Sequence, residues 1–87
     1  MRKHHTEVLK TFFHEKLFRS RVELGISQEE MACRLLMASR SYVDLDHGKT
    51  GCSALTLALY LIYTCEEPLQ FLEELRNAFE TNEIKVA

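Results

Sequence analysis

Arg40 and Asp44 lie four residues apart, so on a helix they share one face and present their hydrogen-bonding groups together. The guanidinium of Arg40 can engage O6 and N7 of a guanine, and the carboxylate of Asp44 can accept from the amino group of a cytosine. Tyr42 and Leu45 fall on the opposite side of the same helix, and Ser39 stands at its leading end. These residue types favour contact with DNA base edges, Arg40 above all; the plain alternative is that they are solvated surface residues.

A second group of polar residues can bind phosphate oxygens. Gln28 begins a predicted helix, where free backbone amides and the positive end of the helix dipole attract anions, and its side chain adds a donor. Ser41, Lys49 and Thr50 can hold the strand from the other side. The alternative for Gln28 is plain helix propensity.

The reactive residue types elsewhere form no catalytic or metal-binding pattern. Cys33, Cys52 and Cys65 are separated by 19 and 13 residues, with no CxxC pair and no histidine at metal-ligand spacing. We expect reduced cysteines buried for structural reasons. The serines lack a positioned histidine and acid, and there is no glycine-rich phosphate loop. The sequence therefore predicts no enzyme, no metal and no cofactor.

Helices joined by short turns must position these residues. With 87 residues, one proline and three glycines, the chain suits a single helical domain with a modest core. Periodicity and end signals predict helices at residues 6–24, 28–36, 39–47, 54–63 and 68–80. No apolar run reaches the ~18 residues of a membrane span, and no signal peptide is evident, so we expect a cytoplasmic protein.

Capping residues define the ends of the predicted helices. N-terminal caps are expected at Ser27, Ser39 and Ser53, because a serine hydroxyl can accept from a free amide of the first turn. Left-handed C-terminal positions are expected at Gly25 and Gly48, which carry no Cβ. Residues after 80 are expected to form a solvated tail.

Several residues around these helices stand at a joint spacing that is far more specific than any of them alone. They are Arg21, Gly25, Ser27, Gln28, Ala32, Met37, Asp46, Gly48 and Lys49. With this spacing, residues 17 to about 63 resemble the helix-turn-helix of the phage repressor and Cro family, also called the XRE family. The resemblance implies an all-α, compact five-helix lambda-repressor-like domain. Its motif core is residues 21–50, with residues 1–16 as an N-terminal extension and residues 68–80 as an added C-terminal helix.

The resemblance also implies roles for individual residues. The base-contacting positions of the family correspond to Ser39, Arg40 and Asp44, and a glutamine at the position of Gln28 commonly bonds a phosphate.

The same resemblance implies a structural pair, and the sequence departs from the family pattern at two positions. Tyr42 stands where the family more usually has a β-branched residue. The family pairs an arginine and an acid at the positions of Arg21 and Asp46, so we expect this pair to tie the first helix to the end of the recognition helix. Leu36 stands where the family usually has glycine. Since its Cβ penalises positive φ, the turn is either tighter in a different way or slightly strained.

The function implied by the resemblance is sequence-specific binding of double-stranded DNA by a small transcriptional regulator of the repressor type, with residues 39–47 in the major groove. Such proteins usually act as dimers on half-sites about 34 Å apart. Candidate homodimer surfaces are Phe12 and Phe13, helix 54–63, or the stripe Leu69, Leu72, Leu75 and Phe79. Alternatively, these faces satisfy one another within a monomer.

The charge distribution leaves a second class of function open. The net charge is −2, with +4 in residues 1–21 and −6 in residues 22–87, so phosphates would meet the front of the chain. Between residues 39 and 50 only Arg40 and Lys49 are basic, against Asp44 and Asp46. The alternative is therefore a protein-binding module on the same fold, antitoxin-like or anti-regulator, without strong DNA binding.

Overall fold

Five α-helices make up the described part of the chain. A computed structural model describes the backbone of residues 2–86 and the side chains of residues 2–81. The helices are α1 (Arg2–Leu24), α2 (Gln28–Arg34), α3 (Ser39–Asp46), α4 (Ala54–Tyr63) and α5 (Pro68–Val86), and no strand occurs within residues 2–86. The predicted all-α class is confirmed. None of the described helices combines the length and the apolar character that a membrane crossing requires.

Two N-terminal caps lie where the sequence predicts them, and one does not. The Ser27 hydroxyl accepts from the Glu30 amide at 3.1 Å, and the Ser53 hydroxyl accepts from the Thr56 amide at 3.1 Å. The expected cap at Ser39 is wrong, because Ser39 is already helical and the cap position belongs to Ala38, which has no side-chain oxygen. The first turn of α3 therefore keeps amides that its own cap does not satisfy.

The outer ends of the terminal helices also differ from the prediction. α1 begins at Arg2, four residues before the expected start, and α5 continues to Val86 instead of ending at residue 80. The expected tail is therefore helical in its backbone, while its side chains after residue 81 lie outside the described residues. Apolar periodicity marks only the part of a helix that packs on the core, so it missed both extensions.

The C-terminal ends of α1, α2 and α3 share one hydrogen-bond pattern, in which the chain turns through a residue in the left-handed conformation. The left-handed residues are Gly25 at φ +67°, Leu36 at φ +55° and Gly48 at φ +74°. In each case the next amide bonds back to a carbonyl five residues earlier, as from Met37 to Ala32 at 3.0 Å. Leu36 thus occupies a glycine position, and the strained alternative for this turn holds, at a cost of about 1–2 kcal/mol.

A cluster of aromatic rings joins α1, α4 and α5. Phe13 lies edge-on to Tyr60 with ring centroids 5.2 Å apart, and Phe12 lies edge-on to Phe71 at the same separation. The Tyr60 and Phe71 rings are 5.5 Å apart, and the Tyr60 hydroxyl bonds Ser20 at 2.7 Å. The N-terminal extension therefore packs on α5 of its own chain. The alternative in which these residues pack within the monomer therefore holds for Phe13, which is 1% exposed, while Phe12 is half-buried.

The buried stripe of α5 differs from the predicted one. Phe71 and Leu75 are buried, with 3% and 8% of their surface exposed, whereas Leu69 and Leu72 are 78% and 46% exposed. Phe71 belongs to the aromatic cluster, and residue 69, two positions earlier on a helix, must then point away. Leu75 lies in the core and is not available to a second chain, and Phe79 is half-buried against the core. The predicted stripe is wrong in its first half.

Candidate nucleic-acid interface

Helix α3 lies with one face in the core and the opposite face outward. Tyr42 and Leu45, on its inner face, are 0% and 3% exposed. Arg40 is exposed on the outer face, as is His47 at the end of the helix, and Asp44 between them is half-buried. Ser39 is exposed in the first turn. The three predicted base-contacting residues thus all lie on the accessible part of α3.

A buried carboxylate at the end of α3 ties together the three helices of the motif. Asp46 is 3% exposed, and its two oxygens accept from the Gln28 amide at 2.9 Å and from the Tyr42 hydroxyl at 3.2 Å. The Arg21 guanidinium from α1 lies 3.6 Å away. The predicted pair of Arg21 and Asp46 is therefore present, at a distance where ion pairing adds to two direct hydrogen bonds.

Both partners of this pair are held by further contacts. Arg21 also donates to the Ile26 carbonyl at 3.4 Å and lies over the Phe18 ring, 5.6 Å from its centroid. Burial raises the pKa of the Tyr42 hydroxyl well above its ordinary value, and the charge and hydrogen bond of Asp46 raise it further. Tyr42 therefore stays protonated as a donor to Asp46 over the whole physiological range.

Gln28 makes a contact within the chain that the sequence did not predict. Its side-chain amide donates to the buried Asp46, so helix propensity alone does not explain why a glutamine stands at this position. An amide nitrogen carries two hydrogens, and one of them remains for a second acceptor. Gln28 lines an open cleft together with Arg19, Arg21 and His47, beside the C-terminal end of α3.

The other predicted phosphate contacts lie on the opposite flank of α3. Ser41, Asp44 and Thr50 line one cleft between α3 and the loop that follows it. Lys49 and Thr50 are exposed at the start of that loop, and the Lys49 amide donates to the Asp44 carbonyl at 2.9 Å. The candidate site is therefore the outward face of α3, with Arg40 in its first turn and polar groups on both flanks.

Three contacts at this site were not expected from the sequence. They are the Tyr42 hydroxyl bond to Asp46, the inward turn of Gln28, and the packing of the His14 ring against Gly48 at the end of α3. A Cβ at Gly48 would stand 3.5 Å from that ring. The spacing of four between Tyr42 and Asp46 was a usable signal for the first contact.

The cysteines do not follow the predicted pattern. Cys33 is exposed, and Cys52 and Cys65 are half-buried, so the expectation of buried cysteines is wrong for Cys33. Burial raises the pKa of the Cys52 thiol, which lowers its reactivity. Among the described residues, no group of three or more His, Cys, Asp or Glu side chains is arranged to hold a metal ion.

Comparison with models of protein families, with curated proteins and with solved structures finds no match to this chain. The resemblance to the repressor and Cro family therefore stays a prediction, carried by the residues of the motif.

Proposed function

We propose that this protein binds double-stranded DNA sequence-specifically as a small transcriptional regulator of the repressor type, with α3 in the major groove. The observation that carries the proposal is the outward face of α3, which exposes Arg40 above the buried Tyr42 and Leu45. A helix that stands out from its domain in this way fits the width of the major groove, with its N-terminal residues nearest the base edges.

The base contacts are divided between three residues. Arg40 donates two hydrogen bonds to guanine, a contact that discriminates against other bases by about 1–3 kcal/mol. Ser39 sits at the leading end of α3, where it meets a base edge or the adjoining sugar. Asp44 is half-buried beside the following loop, so it reaches only a base that comes close, and it accepts from a cytosine amino group.

Polar groups on both flanks of α3 suit the two phosphate backbones that border a major groove. Ser41, Lys49 and Thr50 serve one strand, and the second hydrogen of the Gln28 amide, with Arg19 in the same cleft, serves the other. The buried Asp46 is compensated by Arg21 and adds no exposed negative charge. Of the charges that remain accessible on α3 and the loop after it, two are positive, Arg40 and Lys49, and one is negative, Asp44.

The proposal is tested by titrating the protein with random duplex at low and moderate salt, followed by selection of sites from a randomised duplex pool. Binding should weaken with salt: a plot of the logarithm of the association constant against the logarithm of the salt concentration should have a slope of about −0.9 per phosphate contact. Against a selected site, Arg40→Ala should lower affinity by about 5- to 150-fold and relax the preference at one base pair.

A matched control separates base reading from general charge. Arg76→Ala removes an equally cationic side chain from α5, where Arg76 is 79% exposed and pairs with Glu80. This variant should keep the wild-type sequence preference. Equal relaxation of preference by Arg76→Ala and Arg40→Ala would contradict the assignment of Arg40.

The second candidate is a protein-binding module, antitoxin-like or anti-regulator, on the same helices. The observation that favours it is the low positive charge of α3 and its loop, because affinity for DNA rests largely on neutralised phosphates. The same titration decides between them. Absence of binding to duplex at low salt would favour the protein-binding module and exclude sequence-specific DNA binding.

A further inference from the structure

The open cleft beside the C-terminal end of α3 carries as many negative as positive side chains when its histidines are neutral. Arg19 and Arg21 line it from α1, together with the carboxylates Glu15 of α1 and Asp46 of α3, and α2 contributes only the uncharged Gln28. These two arginines and two acids give no net charge. The net attraction of the cleft for a phosphate therefore depends on the other titratable groups that line it, which are two histidines.

The two histidines differ in what they can reach. His14 is half-buried on α1, and its ring packs against Gly48. His47 is exposed at the C-terminal cap of α3, seven residues after Arg40, so both side chains stand on the outward face of this helix. His47 is therefore the histidine that a phosphate at the border of the major groove can meet.

We propose that His47 is a further phosphate contact in this cleft and that its protonation makes DNA binding depend on pH; the inference rests on the DNA binding proposed above. A protonated imidazole donates from both ring nitrogens and carries a positive charge, whereas the neutral ring donates from one and carries none. Histidine is the side chain whose charge ordinarily changes between about pH 5 and 8. One proton on His47 gives the otherwise balanced cleft a net charge of one positive unit.

The groups that face His47 act on its proton in opposite directions. The two arginines of the cleft, and His14 when it is charged, disfavour protonation, while the two carboxylates favour it. The negative end of the α3 dipole, where His47 is the capping residue, favours it as well. A bound phosphate adds a negative charge beside the ring, so the complex holds the proton more tightly than the free protein. Affinity for DNA is therefore highest at acid pH and falls as pH rises.

Titration of the selected duplex site at about pH 5.5 and about pH 8, each over several salt concentrations, tests the proposal. One more phosphate contact makes the salt slope steeper by about 0.9, which corresponds to about eightfold in affinity at about 0.1 M salt. Wild type should therefore bind about 5- to 10-fold more tightly at the lower pH, with a salt slope that is steeper by nearly this amount.

Two substitutions separate the charge of His47 from its other properties. His47→Gln keeps a hydrogen-bond donor without the charge, so its affinity at both pH values should equal that of wild type at the higher pH. His47→Arg is cationic throughout, so its affinity at both pH values should equal that of wild type at the lower pH. Because position 47 is exposed, both variants should fold as wild type, which circular dichroism checks.

The matched control removes another histidine from the same chain. His5 lies edge-on to Phe79, with ring centroids 4.8 Å apart. It stands nine residues before His14 on α1, a distance of about 13.5 Å along the helix axis, which exceeds the screening length of about 10 Å at 0.1 M salt. His5→Gln should therefore keep the wild-type pH dependence of DNA binding.

The possible failures of this inference and of the proposed function are distinct. Wild type that binds the selected site equally at both pH values would overturn the inference and leave DNA binding by α3 intact. A pH dependence that persists in His47→Gln, or that His5→Gln removes equally, would assign the proton to another group and overturn it too. A pH dependence with an unchanged salt slope would exclude a phosphate as the contact. Absence of duplex binding at both pH values and low salt would overturn DNA binding itself, and this inference with it.

Discussion

Replacement of Asp46 by alanine should destabilise the protein by about 3 kcal/mol. Asp46 is 3% exposed and holds Gln28 at 2.9 Å, Tyr42 at 3.2 Å and Arg21 at 3.6 Å. Breaking a buried ion pair costs about 3–5 kcal/mol, because the remaining charge is stranded. The lower end applies here, since the Arg21 side chain is 19% exposed and keeps its bond to the Ile26 carbonyl.

Thermal unfolding followed by circular dichroism, together with urea unfolding, measures this loss. For a domain of this size, 1 kcal/mol corresponds to about 4–8 °C, so the Tm of Asp46→Ala should fall by about 12–24 °C. Arg21→Ala should also weaken folding, and a double-mutant cycle with Asp46→Ala should give a coupling of about 1–3 kcal/mol. Tyr42→Phe removes one neutral donor and should cost about 1 kcal/mol.

The matched control lies two residues earlier on the same helix. Asp44→Ala removes the same carboxylate from a half-buried flank of α3 and should change stability by no more than about 0.5 kcal/mol. An Asp46→Ala protein with the Tm of wild type would refute the role given to this carboxylate. Equal losses for Asp44→Ala and Asp46→Ala would show instead that any acid on α3 has the same effect.

Further predictions concern the strained turn, the α5 stripe and alkaline pH. Leu36→Gly should stabilise the protein by roughly 0.5–1 kcal/mol in urea unfolding, because relief of the left-handed strain exceeds the added chain entropy of glycine; a lower urea midpoint would contradict this. Phe71→Ala should cost about 3–5 kcal/mol and Leu69→Ala less than about 0.5 kcal/mol, and equal losses would restore the stripe predicted from the sequence. The raised pKa of Tyr42 means that the folded state holds its proton more tightly than the unfolded state, whose pKa is the ordinary 10.0. Stability should therefore be intact below about pH 10 and fall as pH rises above it. Urea unfolding at about pH 8 and 11 should show a smaller loss for Tyr42→Phe than for wild type, and equal losses would count against this cause.

Features that depend on a few neighbouring residues were predictable from the sequence. The caps at Ser27 and Ser53 follow from a hydroxyl three residues before an amide, and the left-handed ends at Gly25 and Gly48 follow from the absence of a Cβ. For the turn at Leu36, the sequence predicted two alternatives, a different tight turn or a strained one. The residue type signalled a conflict with the turn, and only the backbone showed that positive φ is adopted all the same.

Features that depend on which helices meet were not predictable in the same way. The face of α5 was assigned to Leu69 and Leu72 because leucines recur there, yet the ring of Phe71 enters the cluster with Phe12 and Tyr60. A periodic pattern allows more than one inward face when apolar residues stand at several phases. Which face is buried depends on the partner helix.

Local signals were enough to predict five helices, most of their ends and the residues that are exposed on α3, because caps, glycines and helical spacing act over a few residues. The packing of the helices, in contrast, determined that Asp46 is buried against Arg21, Gln28 and Tyr42, and that Phe12 and Phe13 pack on α4 and α5. It also decided which apolar face is left uncovered on α4. The physical reason is that burial is shared between helices far apart in the chain, and no local pattern specifies which surfaces will meet.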